Sequence, residues 1–282
     1  MKKIFTDEML DYMIANYQTM EYKDIAEHIG LTSKQVRTKM SQLGYKKYRT
    51  FNNRYFQNID TPLKAYFLGF IFADGWICAN PEIRNYEFGM ELQSGDRYIL
   101  DKLNEELGNV HKIYHTEQRK TIICGKSVNR GHTDTLRVYS KPLVEDLIAN
   151  GISTNKTQKD IVPHVSDEFF FDFLRGYIDG DGCYWNTRQR PNDTYLHITC
   201  ASKSVLEYLQ NRLTSYNIKS QIYTETDKKH RLMCTNYNDM HFLINKMYKD
   251  KNTFCLTRKL KLIEKYLDYR EASYVLLLFI LE

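Results

Sequence analysis

The sequence predicts an α+β chain in which a small all-α N-terminal module precedes two tandem αββαββα repeats with pseudo-two-fold symmetry. Three observations carry this expectation. An apolar segment closed by Asp-Gly occurs twice, as Tyr66-Phe67-Leu68-Gly69-Phe70-Ile71-Phe72-Ala73-Asp74-Gly75 and as Phe173-Leu174-Arg175-Gly176-Tyr177-Ile178-Asp179-Gly180-Asp181-Gly182, with the two acids 107 positions apart. The order of alternating and helical patterns after each copy is the same, and Ser94 and Ser202 follow their acids by 20 and 21 positions. Ahead of the first copy stand three short helical patterns with capping residues and glycine stops.

Composition narrows the class. At 282 residues the chain has room for one large or two modest domains. Its 22 Tyr and 14 Phe supply core, and only 5 Pro argue against long disordered linkers. The formal charge of +5 and pI near 8.7 lean toward polyanionic partners. The six cysteines form no C-x-x-C pair, so neither a zinc ribbon nor a redox motif is supported. They read as reduced thiols of a cytoplasmic protein. Lys2 and Lys3 run into Thr6, Asp7 and Glu8, which breaks any signal-peptide core. The apolar run Tyr274 to Leu281 is too short to span a bilayer, so no membrane partner is expected.

In chain order, Thr6 is the expected cap of a helix whose Met9, Leu10, Met13, Ile14 and Tyr17 share one face. A second helix carries Ile25, Ala26 and Ile29 and stops at Gly30. Thr32 with Gln35 forms a capping box for a third, which buries Val36, Met40 and Leu43. This is a helix-turn-helix pattern, and the third helix would expose Ser33, Lys34, Arg37, Thr38 and Ser41, a mixture suited to reading a major groove. From Leu31 to Ile59 there are basic residues but no acid, among them Lys46, Lys47, Arg49 and Arg54 with aromatics interleaved. Such a stretch would track phosphates and add salt-dependent affinity.

Each motif segment reads as a helix. Pro62 suits a first turn capped by Asp60 or Thr61, Pro163 with Ser166 and Asp167 would open the other, and Gly75 and Gly182 would be the stops. An acid in the last turn opposes the helix dipole, at a cost of a few tenths to about 1 kcal/mol. Doing so twice at equivalent positions indicates a site. Gly69 and Gly176 would let the two helices pack backbone to backbone. Paired carboxylates at adjacent helix ends then call for a cation, and oxygen-only ligands suit Mg²⁺.

The two segments resemble the motifs of the single-chain, two-motif LAGLIDADG homing endonucleases, over roughly Ile59 to Leu267. One departure is Phe72, where the family usually has its first Asp; that position is not usually a metal ligand. The resemblance implies a saddle-shaped DNA-binding sheet and double-stranded DNA as partner. It also implies staggered cleavage of both strands with Mg²⁺, Mn²⁺ being a possible substitute. Asp74 and Asp181 would hold metal, with Gly75 and Gly182 completing the candidate metal set. A lysine at about the distance of Lys156 and Lys259 from each acid would assist hydrolysis, with Lys159 and Lys261 as rivals. The expected organisation is a helix-turn-helix domain over 1–45, a basic linker over 46–59, a first repeat over 60–160, and a second repeat with a C-terminal helix over 161–282.

The remaining candidates lie on or between strands: Arg84, Gln118, Arg119, Lys120, Arg188, Gln189, Arg190, Lys228 and Lys229, placed to reach base edges if the sheet straddles a groove. The stretch from Gln118 to Asp134 is longer than its counterpart, so the halves should contact unequal lengths of DNA. A monomer without an obligate protein partner is expected, because one chain supplies both motifs. The start at Met1 and the end at Glu282, without a terminal His-Asn, favour an intron-encoded or free-standing enzyme of a mobile genetic element over an intein. Two rivals keep the fold: an RNA maturase assisting intron splicing and a cleavage-inactive DNA-binding regulator.

Overall fold

The computed structural model describes residues 5–45, 50–123, 126–154, 162–186, 194–227 and 229–267. The chain divides into two units, Met1–Phe51 and Asn52–Glu282. Among the described residues no helix is long and apolar enough to cross a membrane.

The first unit contains three helices, α1 (Asp7–Asn16), α2 (Tyr22–His28) and α3 (Ser33–Gln42). Thr6 caps α1, and Thr32 and Gln35 make the reciprocal capping box at the start of α3. Gly30 takes φ +67°, the left-handed conformation that turns the chain between α2 and α3 at no Cβ cost. Met13, Ile25, Ala26, Ile29, Val36 and Met40 form the core.

The second unit holds the two repeats. The first comprises α4 (Pro62–Asp74), β1 (Gly75–Asn80), β2 (Asn85–Gln93), α5 (Arg97–Glu106), β3 (Ile113–Thr116), β4 (Arg119–Ile123), β5 (Lys126–Arg130), β6 (Thr133–Tyr139) and α6 (Lys141–Ala149). The second comprises α7 (Phe170–Asp181), β7 (Gly182–Asn186), β8 (Thr194–Cys200), α8 (Lys203–Ser215), β9 (Gln221–Thr226), β10 (Lys229–Cys234) and α9 (Tyr237–Met247), followed by α10 (Thr257–Ile263). Each repeat forms an antiparallel four-stranded sheet, ordered β1-β2-β6-β3 and β7-β8-β10-β9. These orders become identical once β4 and β5 are set aside as an inserted two-stranded hairpin. The αββαββα duplication is therefore present, and the long stretch from Gln118 is a hairpin that the sequence reading left without strands. Strand alternation sorts the faces: Phe88, Met90, Leu136 and Val138 are buried, as are Leu196, Ile198 and Leu232 across the other sheet.

Two boundaries differ from expectation. Thr61 caps α4 and Pro62 sits in its first turn, but α7 begins at Phe170 without a side-chain cap, so Pro163 precedes the helix instead of opening it. Residues 52–59, expected in a basic linker, belong to the second unit: Tyr55 and Phe56 are buried, and the amide of Asn52 donates to the Leu107 carbonyl at 3.0 Å. Aromatics read as a phosphate-tracking stretch instead fill the core beside α5.

Candidate active site

The pairing of α4 with α7 explains the motif glycines. A Cβ on Gly69 would collide with the Phe173 carbonyl oxygen and lie 2.8 Å from the Tyr177 nitrogen; one on Gly176 would collide with the Tyr66 carbonyl oxygen and lie 3.0 Å from the Phe70 nitrogen. These contacts exchange under the 107-residue offset, as a two-fold axis between the helices requires. Toward the C-terminal ends the approach is again close, since a Cβ on Gly180 would collide with that of Ala73 and lie 3.2 Å from Asp74 Oδ2. Asp74 and Asp181, the last residues of the two helices, are both exposed there.

Gly75 and Gly182 end the helices in extended conformation, at φ −75° and −80°, instead of the left-handed cap the sequence suggested. Each leads directly into a strand. Glycine is required by space: a Cβ would come 2.7 Å from Ile71 Cγ2 in the first case and 2.7 Å from Ile178 Cα in the second.

Lys259 is buried, and its ammonium lies 2.6 Å from the Ile178 carbonyl oxygen, 2.7 Å from those of Asp179 and Gly182, and 3.2 Å from that of Gly180. It therefore caps the C-terminal end of the helix that carries Asp181, neutralising the negative end of the dipole. Burial pushes its pKa down, opposed by the charge of Asp179. The expectation of a lysine directed at a substrate does not match this geometry, because four carbonyls already surround the three N–H donors. The Gly182 carbonyl, part of the expected metal set, likewise faces this ammonium. Lys261 is exposed.

Asp179 is buried beside this cap. Its Oδ2 accepts from the Tyr66 hydroxyl at 3.0 Å and the Leu256 amide at 2.7 Å, while Oδ1 has no protein partner. Burial pushes its pKa up to about 6, against the lowering by the Leu256 amide, Lys259, Tyr66 and Arg175. Arg175, also buried, pairs with Asp172 at 2.8 Å and donates to the Phe254 and Met247 carbonyls.

The remaining expected residues are scattered over exposed surface. Lys34, Arg37 and Thr38 are exposed on α3, and Ser33 is half-buried in its first turn. Arg84 is exposed, at φ +51° in the β1–β2 turn. Gln118, Arg119 and Lys120 lead into and begin the inserted hairpin and are exposed. Lys229 opens β10 and pairs with Glu225 at 2.6 Å. Arg54 pairs at 2.7 Å with Asp146, which is nearly inaccessible, so its guanidinium serves an internal acid, not a free surface. Lys46, Lys47, Arg49, Lys156, Lys159, Arg188, Gln189, Arg190, Lys228 and the run 274–281 lie outside the described residues.

On the sheet faces opposite the helices, sequence reasoning offered Glu87 and His197 as groove readers but missed Trp76, Arg137 and Trp185 beside them. The Trp76 ring packs on Gly89 and fills its Cβ position, and Arg137, the cross-strand neighbour of Gly89, stands 5.8 Å from that ring. Arg137 also pairs with Glu87 at 3.4 Å. In the second sheet Trp185 is exposed and its ring lies 6.1 Å from that of His197. The alternation Leu136-Arg137-Val138-Tyr139, apolar in and polar or aromatic out, was the available signal.

A family model of the LAGLIDADG-like domain matches residues 168–247. The DNA-directed RNA polymerase subunit Rpo1C of Methanocaldococcus jannaschii is 25% identical over 194 residues, 64% of this chain and 20% of that protein. The chain thus spans about a fifth of the length of this relative. The structure of the homing endonuclease I-WcaI bound to its DNA recognition sequence matches with a TM-score of 0.50 at 12% identity, covering 80% of this chain and 91% of that one. The LAGLIDADG homing endonuclease I-GzeII in complex with its DNA target matches with a TM-score of 0.47 at 10% identity, covering 77% and 90%. At 12% identity the likeness to I-WcaI is one of fold. Residues 168–247 are a LAGLIDADG-like domain, and the chain has the two-repeat fold of the LAGLIDADG homing endonucleases.

Proposed function

We propose that the chain is a site-specific DNA endonuclease, of the homing type, that makes a staggered double-strand break by metal-dependent phosphodiester hydrolysis. The observation that carries this reading is the convergence of two exposed carboxylates, Asp74 and Asp181, at the ends of helices held together by Gly69 and Gly176. The donor set fits a hard divalent cation: both side chains are oxygen ligands, and the close approach of Ala73 and Asp74 to Gly180 brings the two helix ends to one place. Mg²⁺ is the expected ion, with Mn²⁺ as a substitute. When bound it supplies charge at the phosphoryl oxygens and an acidified water.

The chain's own groups then divide the work. Asp74 and Asp181 hold the cation. Lys259 acts as a positioning residue, keeping the end of α7 in place through its carbonyls, and Gly75 supplies the sharp exit into β1. The faces of the two sheets opposite their helices, with Trp76, Arg137, Trp185 and Lys229, would contact the grooves, joined by Arg84 and the hairpin bearing Gln118, Arg119 and Lys120. Ser33, Lys34, Arg37 and Thr38 on α3 would extend recognition as a helix-turn-helix. With both motifs in one chain, the enzyme would act as a monomer on a non-palindromic site.

The test starts by selecting cleaved sites from a random duplex library in Mg²⁺. Asp74→Asn and Asp181→Asn are then assayed on the selected site. Each should lower double-strand cleavage by at least about 100-fold, on the scale of losing one transition-state stabilising group, with DNA affinity changed less than about threefold. Cleavage by either variant within about threefold of the wild-type rate would overturn the assignment.

A further inference from the structure

Among the described residues, the inserted hairpin has one feature without a counterpart in the second repeat. At its base, donor atoms of His115, Glu117 and His132 all lie within 4.8 Å of one another. His132 Nδ1 is 2.9 Å from Glu117 Oε2, and His115 Nε2 is 3.7 Å from Glu117 Oε1. The two imidazoles are stacked, with centroids 5.6 Å apart and planes 13° from parallel. Neighbouring ligands on a tetrahedral ion with bonds of about 2.0–2.1 Å stand about 3.4 Å apart, between the two observed separations.

The surroundings prepare His115 as a ligand. Its Nδ1 is 3.1 Å from Oδ1 of Asp134, a buried carboxylate that also accepts from Arg97 at 3.2 Å. With Nδ1 turned to Asp134, Nε2 is the ring nitrogen directed toward Glu117. This carboxylate–imidazole arrangement behind a ligand nitrogen is the one that metal-binding histidines use. The partner strand is fixed as well, since the Ser94 amide donates to the His132 carbonyl at 3.1 Å.

We propose that His115, Glu117 and His132 form a binding site for a zinc-type divalent cation that clasps the base of the β4–β5 hairpin. Two imidazole nitrogens and one carboxylate select a borderline ion over Mg²⁺, and the exposure of all three residues leaves a position for water. Glu117 precedes β4 and His132 follows β5, so the ion closes the loop at its neck. An isolated two-stranded ribbon is marginal in water, and closing its ends removes conformational freedom from the unclasped form. The hairpin carries Arg119 and Lys120, so the clasp would hold these cations in one orientation. The site uses none of the paired acids and does not depend on their role.

The experiment uses untagged full-length protein carrying Asp74→Asn and Asp181→Asn, which removes the other carboxylate pair as a competing site. The protein is stripped with chelator, dialysed against Zn²⁺, desalted and analysed for metal by mass spectrometry. One zinc per chain is expected, falling at least about tenfold when His115→Ala and His132→Ala are added. Limited proteolysis within the hairpin should slow at least about tenfold with Zn²⁺ in the first protein and not in the second. Because the histidine variants can unfold, Glu117→Gln at a largely exposed carboxylate serves as the second variant, with circular dichroism confirming its fold; it too should lose zinc. Absence of retained zinc in the parent, or equal zinc in parent and folded variants, would overturn the proposal.

Discussion

The two motif helices are copies that solve the same packing problem with different chemistry. On one side of the axis between them, the Tyr66 hydroxyl donates to the buried Asp179 at 3.0 Å. On the other, the equivalent residues are Phe173 and Phe72, whose rings meet edge to face at 6.1 Å. The same division recurs one turn earlier, where the second helix buries Asp172 and Arg175 while the first has Ala65 and Leu68. What the halves share is narrower: a glycine at the crossing, a glycine at the exit packed on an isoleucine (Ile71 or Ile178), and the terminal acid. The first two answer to backbone sterics, and an exposed terminal acid that opposes the helix dipole answers to neither packing nor stability. The rest differs between the halves, because either an aromatic pair or a hydrogen-bonded polar pair fills the space.

The largest effect that separates shared from free positions is expected at Gly180. It faces Ala73, its own counterpart in the first helix, so the axis leaves room for one methyl and not two. Gly180→Ala should destabilise the protein by about 2–3 kcal/mol, the cost of overpacking a close contact, and should displace Asp74 and lower cleavage. Adding Ala73→Gly moves the methyl across the axis and should recover most of the loss. Chemical denaturation of the three variants checks this; a double variant no more stable than Gly180→Ala would mean that the two helix ends are not interchangeable.

Much of this was legible in the sequence. The duplication, the order of elements, the glycine contacts of Gly69 and Gly176, and the helix caps at Thr6, Thr32 and Thr61 follow from local rules of spacing and capping, which need no knowledge of the rest of the chain. What was hidden depends on distant partners. Nothing near Lys259 reveals that it will cap a helix ending some 80 positions earlier, since the cap exists only after α10 docks beside α7. Arg54 looked like its basic neighbours until Asp146 came to meet it. The hairpin β4–β5 was missed because Gln118-Arg119-Lys120 is polar on both faces, so it lacks the alternation that a half-buried strand shows.

A second comparison can be sharpened at Arg175. Replacing it by Leu, the residue of the first helix, leaves Asp172 buried with only Lys249 at 3.1 Å and removes a donor from two carbonyls. Leaving a buried charge with no partner costs about 3–5 kcal/mol, and because Lys249 still meets Asp172 the loss should fall below that range, to about 2 kcal/mol. Asp172→Ala with Arg175→Leu makes the second helix match the first, and it should be more stable than Arg175→Leu alone by about 1 kcal/mol or more. Thermal unfolding of the single and double variants decides it. Equal stability of the two would show that Asp172 carries no penalty once Arg175 is gone.

The smallest expected effect concerns the segment that leads into each motif helix. In the second repeat Arg212 of α8 donates to the Val165 carbonyl at 3.0 Å and pairs with Asp167 at 2.9 Å, tying that segment down. In the first repeat the direction is reversed: Arg54, on the segment itself, reaches Asp146 of α6, while Asn150 donates to the Phe56 carbonyl at 2.8 Å. The Arg54 side chain is half exposed, so solvent screens the pair, and Arg54→Ala should cost about 1 kcal/mol. A phosphate contact would behave otherwise: its loss lowers the slope of log affinity against log salt by about 1. Arg54→Ala should therefore lower the melting temperature slightly and leave that slope unchanged, whereas Lys34→Ala on α3 should reduce the slope and leave melting unchanged. Measuring both variants in one salt titration separates an arginine that holds the fold from a lysine that meets DNA. A reduced slope for Arg54→Ala with no loss of melting temperature would return Arg54 to the DNA-contacting surface.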